Sequence, residues 1–430
     1  MLIRFQVSNH RSIREPVELS LVVIDKDRPQ ARPLPLVGVS LVPVAGVYGA
    51  NASGKSNLLS GFAWLLEAVA SSLQTWHHAI PVDQFALASD FVTAFEIELS
   101  ISGVRYEYLL EVDVSHVLYE ALFHYPESKR RRLFEREELS VKTQRGLRNL
   151  AGAKQLLTGQ TLFLSAAHRA EVPAISAVVS ELAHYQTWGP IPVRPWPLAS
   201  GAEFAPGSRP GLRVLDLFEE PAPPDLAAKT QGFADPLAAV KRQALGLLRL
   251  ADLGISDIAA YPQQVRTLEG DVASRGSVIR FGHSIGDTRR DFPLAEESKG
   301  TRAWLDLIGP ILQALQTGSL LCVDELDASL HPKLCAEIVR LFESPQTNPR
   351  NAQLVFVAHD TSLLACLNRD EVWLCEKRPD GSTRLGALSD FAGERVRKSQ
   401  NLQAGYLGGR FGALPQVNEL EFLRSLGLVG

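Results

Sequence analysis

The chain has little cysteine, no long apolar run and no excess of positive charge. Its four cysteines, Cys322, Cys335, Cys366 and Cys375, include no C-x-x-C pair. This spacing argues against a disulfide framework or a cysteine zinc site and reads as buried thiols in a reducing, cytoplasmic setting. No apolar run approaches the roughly 18 residues of a membrane span. The net charge of -4 supplies no global basic field that would draw the chain to nucleic acid or to a membrane surface. Met1-Leu2-Ile3-Arg4-Phe5 reads as a strand rather than a signal peptide. Internal repeats and sustained heptads are also missing, which excludes a long coiled-coil arm. What remains is an ordinary globular balance, 45% hydrophobic and 21% charged. The 430 residues suffice for two or three domains.

One stretch stands out. Gly49-Ala50-Asn51-Ala52-Ser53-Gly54-Lys55-Ser56 fits G-x-x-x-x-G-K-[ST], the phosphate-binding P-loop. An apolar run, Leu41 to Tyr48, leads into it, and apolar residues at helical spacing (Leu58, Leu59, Phe62, Leu65, Leu66, Val69) follow to about Ser72. Strand, glycine-rich loop and helix is the order the motif requires. Glycines let successive N–H groups turn inward toward an anion, and the helix N-terminus adds partial positive charge. Gly49, Asn51, Ser53, Gly54 and Asn57 are therefore expected in the phosphate cradle. Lys55 is expected on the β- and γ-phosphates of ATP, and the Ser56 hydroxyl on Mg²⁺.

A second apolar run, Ser319 to Val323, ends in Asp324-Glu325. A buried parallel strand delivers such residues at its C-terminal end, where α/β ligand sites lie. Asp324 is expected to hold Mg²⁺, and Glu325 to act as general base on the attacking water. A third run, Leu354 to Ala358, ends in His359, placed to contact a γ-phosphate from the neighbouring strand. Upstream, Ser298 and Gly300 open an apolar helix over Arg302 to Leu315 and offer a second anion-binding N-terminus or an ordinary cap. Ser56 and Asp324 stand 268 residues apart, so a large insertion separates two lobes of one nucleotide fold.

Elsewhere, residues 91 to 123 change to period two and read as a β-meander. Lys129-Arg130-Arg131-Arg132 lies near a hairpin tip, with Glu135, Glu137 and Glu138 close behind; a charge-balanced turn is expected there, with phosphate contact as the alternative. Residues 187 to 230 are crowded with proline and read as an irregular excursion.

Together, G-x-x-x-x-G-K-S, E-S-x-G-T, D-E-L-D-x-S-L-H-P and a strand ending A-H-D resemble an α/β P-loop NTPase of the ABC type, a two-lobed head of the SMC, RecF and overcoming-lysogenization-defect group. The tail, Gly405 to Pro415, resembles the RloA-type AAA family ATPases of abortive infection. The resemblance covers residues 1–165 and 278–415. It implies a β-rich N-terminal lobe at 1–165, an inserted helical and proline-rich region at 166–277, and a C-terminal lobe at 278–430. It also implies that Ser298, Lys299 and Gly300 form a signature that reaches ATP in a partner subunit, that Leu326 to Ser329 form the D-loop, and that His359 is the switch histidine. Lys299 departs from the glycine of the transporter signature. Gln84 is a candidate Q-loop residue, and His10, Arg11 and Ser12 are candidates for the adenine end. The function so implied is an ATPase whose head-to-head dimer, or larger oligomer, controls a separate effector, a nuclease or toxin, in phage defence. The chain after His359 has no acidic cluster that would make a fused nuclease. The alternative is a repair ATPase that clamps DNA.

Overall fold

A computed structural model describes residues 1–25, 28–87, 92–145, 147, 150–191, 236–251, 254–266, 272–285, 288–391, 401–414 and 424. Two large sheets organise it. Seven strands form an antiparallel sheet in the order β10-β9-β8-β7-β6-β1-β2. They are β1 (Leu2–Ser8), β2 (Val17–Ser20), β6 (Thr93–Ile101), β7 (Val104–Val112), β8 (Val117–Tyr125), β9 (Arg131–Glu137) and β10 (Ser140–Thr143). Six more form a mostly parallel sheet in the order β11-β15-β16-β5-β17-β18. These are β5 (Val44–Gly49), β11 (Gln186–Trp188), β15 (Leu320–Val323), β16 (Gln353–Val357), β17 (Val372–Lys377) and β18 (Thr383–Ala387). A small sheet carries β12 (Ile255–Arg266), β13 (Val272–Ile285) and β14 (Thr288–Pro293), and β3 (Arg32–Leu34) pairs with β4 (Val39–Leu41).

The central strands are the apolar runs of the sequence. Every residue of β5, β15 and β16 is buried, as expected of parallel strands covered on both faces. Their side chains alternate between two cores. Val47, Cys322, Val355 and Cys375 join the core that holds the helix Lys55–Thr75. Tyr48, Val323, Phe356 and Leu374 join the other, with the helices Lys299–Thr317 and Pro332–Glu343. The helix Lys55–Thr75 lies between the two large sheets. Its Trp64 stacks on Phe95 of β6 at 4.6 Å, and its Phe62 meets Phe5 of β1 edge-on at 5.1 Å. The period-two reading of 91 to 123 corresponds to β6, β7 and β8, turned at Ser102-Gly103, both with positive φ.

The irregular stretch expected from 187 needs a correction at its start. Gln186–Trp188 is an edge strand of the central sheet, parallel to β15, because its backbone completes the ladder there. Residues 192–235, the greater part of that stretch, lie outside the described residues, as does Pro415. Among the described residues no helix is long and apolar enough to cross a membrane.

At the edge where the parallel strands begin, Arg28 lies 3.0 Å from Asp370 and 3.2 Å from Glu371. Burial, then the charge of Glu371, pushes the neighbouring Glu343 carboxyl from its ordinary 4.5 up to about 7. A raised carboxyl favours the folded state below its ordinary range, and that contribution is lost as pH rises through about 7. Glu343→Gln is therefore expected to stabilise the fold by about 1–3 kcal/mol at pH 8 and hardly at all at pH 4. Thermal unfolding at the two pH values checks this; equal effects at both would contradict it.

Candidate nucleotide site

The P-loop leaves β5 at Gly49 and enters its helix at Gly54, and both glycines are required by packing. Gly49 has φ 155°, and a Cβ there would sit 2.1 Å from the Cys375 carbonyl oxygen. Gly54 has φ 107°, and a Cβ would sit 2.0 Å from Thr383 Oγ1. The loop is tied to β17 and β18 as well. The Ser53 carbonyl accepts from Thr383 Oγ1 at 2.8 Å and from the Cys375 thiol at 3.4 Å. The Ser53 hydroxyl is buried without a hydrogen-bond partner among the described residues.

Lys55 Nζ donates to the Gly49 and Ala50 carbonyls, each at 2.9 Å. Burial lowers its pKa, against the charges of Cys375, Asp324, Asp327 and Glu325. Ser56 Oγ donates to Asp324 Oδ1 at 3.1 Å, which joins the two halves of the site across the insertion. Asp324 is almost fully buried, and this burial raises its pKa while the Ser56 hydrogen bond opposes the rise. A serine hydroxyl beside a carboxylate is a hard oxygen donor set that suits Mg²⁺.

Glu325 follows with φ 54°, a left-handed conformation that costs a non-glycine residue roughly 1–3 kcal/mol. The turn after it is anchored. Leu326 N donates to the Val357 carbonyl at 2.9 Å. Asp327 Oδ2 accepts from the His359 and Asp360 backbone N–H groups at 3.0 and 2.7 Å. Asp327 thus sets the position of the loop that carries His359.

These elements enclose a cavity of about 460 Å³. Of the residues expected in the site, Asn51, Gly54, Lys55, Ser56, Asn57, Glu325 and His359 line it. Gly49, Ser53 and Asp324 lie behind that lining as its support. Ser12 also lines the cavity, held by Asn57 Nδ2 at 2.6 Å and Thr383 Oγ1 at 2.7 Å. The other candidates for the adenine end do not. His10 is buried against Ser60, and burial drives its pKa down to about 3, so it is a neutral packing residue. Arg11 pairs with Asp83 at 3.1 Å. Gln84 does not line the cavity either, because its segment runs alongside Asn9 and Arg11.

Ser298 and Gly300 are also away from this cavity. Ser298 is exposed and caps its helix, accepting from Thr301 N at 3.0 Å. Gly300 packs on the turn after Glu325, where a Cβ would sit 2.8 Å from the Ser329 carbonyl oxygen. Glu297 is buried and meets His283 Nε2 at 2.8 Å. The basic run is largely neutralised: Arg130 pairs with Glu107, Arg131 with Glu127 and Arg132 with Glu135.

Sequence reasoning missed Gly189, Cys375, Lys377 and Thr383. Gly189 has φ 103°, and a Cβ would sit 2.4 Å from the Asp324 carbonyl oxygen. Lys377 lines the cavity. One signal was available for Lys377: it closes a fourth apolar run, Val372 to Cys375, at the same sheet edge.

Residues 44–365, from β5 to just beyond His359, match the family described as "AAA domain, putative AbiEii toxin, Type IV TA system". The chain belongs to this family. Its fold is an α/β P-loop NTPase. Two solved structures are similar to this AAA-domain chain. One is an SMC head domain from Thermotoga maritima, with TM-score 0.39 and 12% identity over 90% of this chain and 98% of that one. The other is an Smc head domain with an extended coiled coil, bound to the C-terminal domain of ScpA, from Pyrococcus furiosus. It has TM-score 0.39 and 11% identity over 91% of this chain and 97% of that one. No curated protein matches.

Proposed function

We propose that this AAA-domain chain binds and hydrolyses ATP, and that nucleotide-driven dimerisation of its heads controls a separate effector, a nuclease or toxin, in bacterial phage defence of the RloA type. The observation that carries the ATPase reading is the convergence of Lys55, Ser56, Glu325 and His359 on one cavity, with Asp324 bonded to Ser56 behind it. The P-loop N–H groups and Lys55 hold the phosphates, with Lys55 exchanging the Gly49 and Ala50 carbonyls for phosphate oxygens. Ser56 and Asp324 hold Mg²⁺, which supplies charge neutralisation when bound. Glu325 orients the attacking water and takes its proton. His359, aimed by Asp327, donates to the γ-phosphate oxygens. The family's description names a toxin–antitoxin system, which supports the defence setting.

The exposed signature supports the dimer. Ser298 is absent from its own chain's cavity, and Gly300 touches the D-loop on a shared face. In a head-to-head dimer that face meets the partner's cavity, as the isologous geometry of a two-fold requires. Mixing two inactive variants tests this. Lys55→Ala disables binding in its own chain. Ser298→Asp keeps the cap and sets a carboxylate against the partner's phosphate. Each alone is expected to be inactive, while a 1:1 mixture should recover on the order of a quarter of the wild-type rate, since heterodimers hold one intact site. Normal turnover by Ser298→Asp alone, or a mixture that stays inactive, would refute the shared site.

A further inference from the structure

Resting on the nucleotide reading above, we infer that Lys377 is a second phosphate-binding lysine, supplied from the side of the P-loop opposite the catalytic groups. Strand order places it there. Along the C-terminal edge of the central sheet run β15, β16, β5 and β17. Glu325 follows β15, His359 follows β16, the P-loop follows β5, and Lys377 ends β17. Two of these lie on one side of the loop and Lys377 on the other. A phosphate tail seated in the loop therefore lies between Glu325 and His359 on one flank and the Lys377 ammonium on the other.

The backbone aims this side chain. β17 runs parallel to β5 with Cys375 opposite Gly49, so Lys377 lies two residues beyond the position facing the loop's first glycine. Residues two apart on a strand share a face. The Cys375 thiol reaches the Ser53 carbonyl, so Cys375 and Lys377 both face the loop. The intervening Glu376 is turned the other way and accepts from Ala413 N at 2.7 Å. The pairing of Lys377 with Thr383 in β18 fixes this orientation further, because Thr383 also holds the Ser53 carbonyl.

Charge supplies the reason. Asp324 and Glu325 bring two carboxylates to a site that must take a polyanion. Lys55 and Lys377 are the lysines among the described residues that line the cavity. Lys377 is exposed and has no ion pair among the described residues, so its ammonium is available to a ligand. An ammonium binds phosphate as a point charge, without reading the base. Its contribution is therefore the same for ATP and GTP.

Equilibrium binding of the fluorescent mant-ATP and mant-GTP to the full chain, with Mg²⁺ and at two salt concentrations, tests this. Lys377→Ala is expected to weaken both nucleotides by the same factor, about 5- to 20-fold at low salt and less at high salt. Lys377→Arg should stay within about 2-fold of the parent chain, since it keeps the charge. Unchanged thermal unfolding confirms that the exposed substitution leaves the fold intact. Wild-type affinity in Lys377→Ala overturns the assignment while leaving the nucleotide site standing. Weakening of one nucleotide alone overturns the phosphate contact in favour of base readout. A wild-type chain that binds neither nucleotide overturns the nucleotide reading itself.

Discussion

Glu325→Gln is expected to lower ATP turnover by about 100- to 1000-fold while ATP stays bound, the range of rate that a positioned general base contributes. The carboxylate and the amide are nearly isosteric, so the strained backbone at Glu325, with φ 54°, is retained. What the amide lacks is a site for the water's proton. On the proposed reading, binding rests on other residues: the P-loop, Lys55 and Ser56, which bonds Asp324. The variant should therefore separate binding from chemistry. Mant-ATP affinity should stay near that of the parent, and phosphate release should collapse. With hydrolysis blocked, ATP-bound heads should accumulate as dimers in size-exclusion chromatography with light scattering. Turnover within 10-fold of the wild type would remove Glu325 from the base role, about 1.4 kcal/mol per factor of ten being too little for it. Loss of ATP binding together with turnover would instead make Glu325 a ligand-holding residue.

Gly54→Ala should be among the most damaging single methyls at the described glycines. The added Cβ would lie 2.0 Å from Thr383 Oγ1, 2.8 Å from Ser12 Oγ and 3.0 Å from Thr383 Cβ, on a residue with φ 107°. Backbone strain and the clash together should destabilise the fold by about 2–4 kcal/mol. Nucleotide affinity should fall by at least about 100-fold, because the loop N–H groups would no longer converge. Thermal unfolding and mant-ATP binding measure the two effects. A cycle with Thr383→Gly, which removes both close Thr383 atoms, should give a coupling of about 1 kcal/mol or more. Wild-type binding by Gly54→Ala would show that the loop does not need its glycine. Zero coupling to Thr383 would leave strain alone as the cause.

The two predictions differ in how far sequence reasoning could reach them. The place of Glu325 was legible because it follows a contiguous apolar run, and a buried parallel strand delivers the residues after it to one sheet edge. Lys55, Ser56, Asp324 and His359 were legible in the same local way. Gly54 was legible as a motif glycine, but the atom that forbids a side chain there was not. Thr383 lies far along the chain, and only the β17–β18 hairpin brings it under the loop. Gly189 is similar. It follows an edge strand of three residues, too short to show a period, and its need for glycine comes from the Asp324 carbonyl. Of His10, Arg11 and Ser12, residue type alone did not reveal which faces the cavity. Burial took His10, and Asp83 took Arg11.

The sequence by itself determined the P-loop motif, the apolar strands, and the carboxylates and histidine that follow two of them. Those are local patterns, written in neighbouring residues and in the periods of strand and helix. The tertiary structure decided that Ser56 meets Asp324, that Ser298 lies outside its own cavity, and that Lys377 and Thr383 flank the loop. Those facts depend on strand order and register between segments far apart in the chain. Such pairings are set by packing of the whole sheet, which no short stretch of sequence contains.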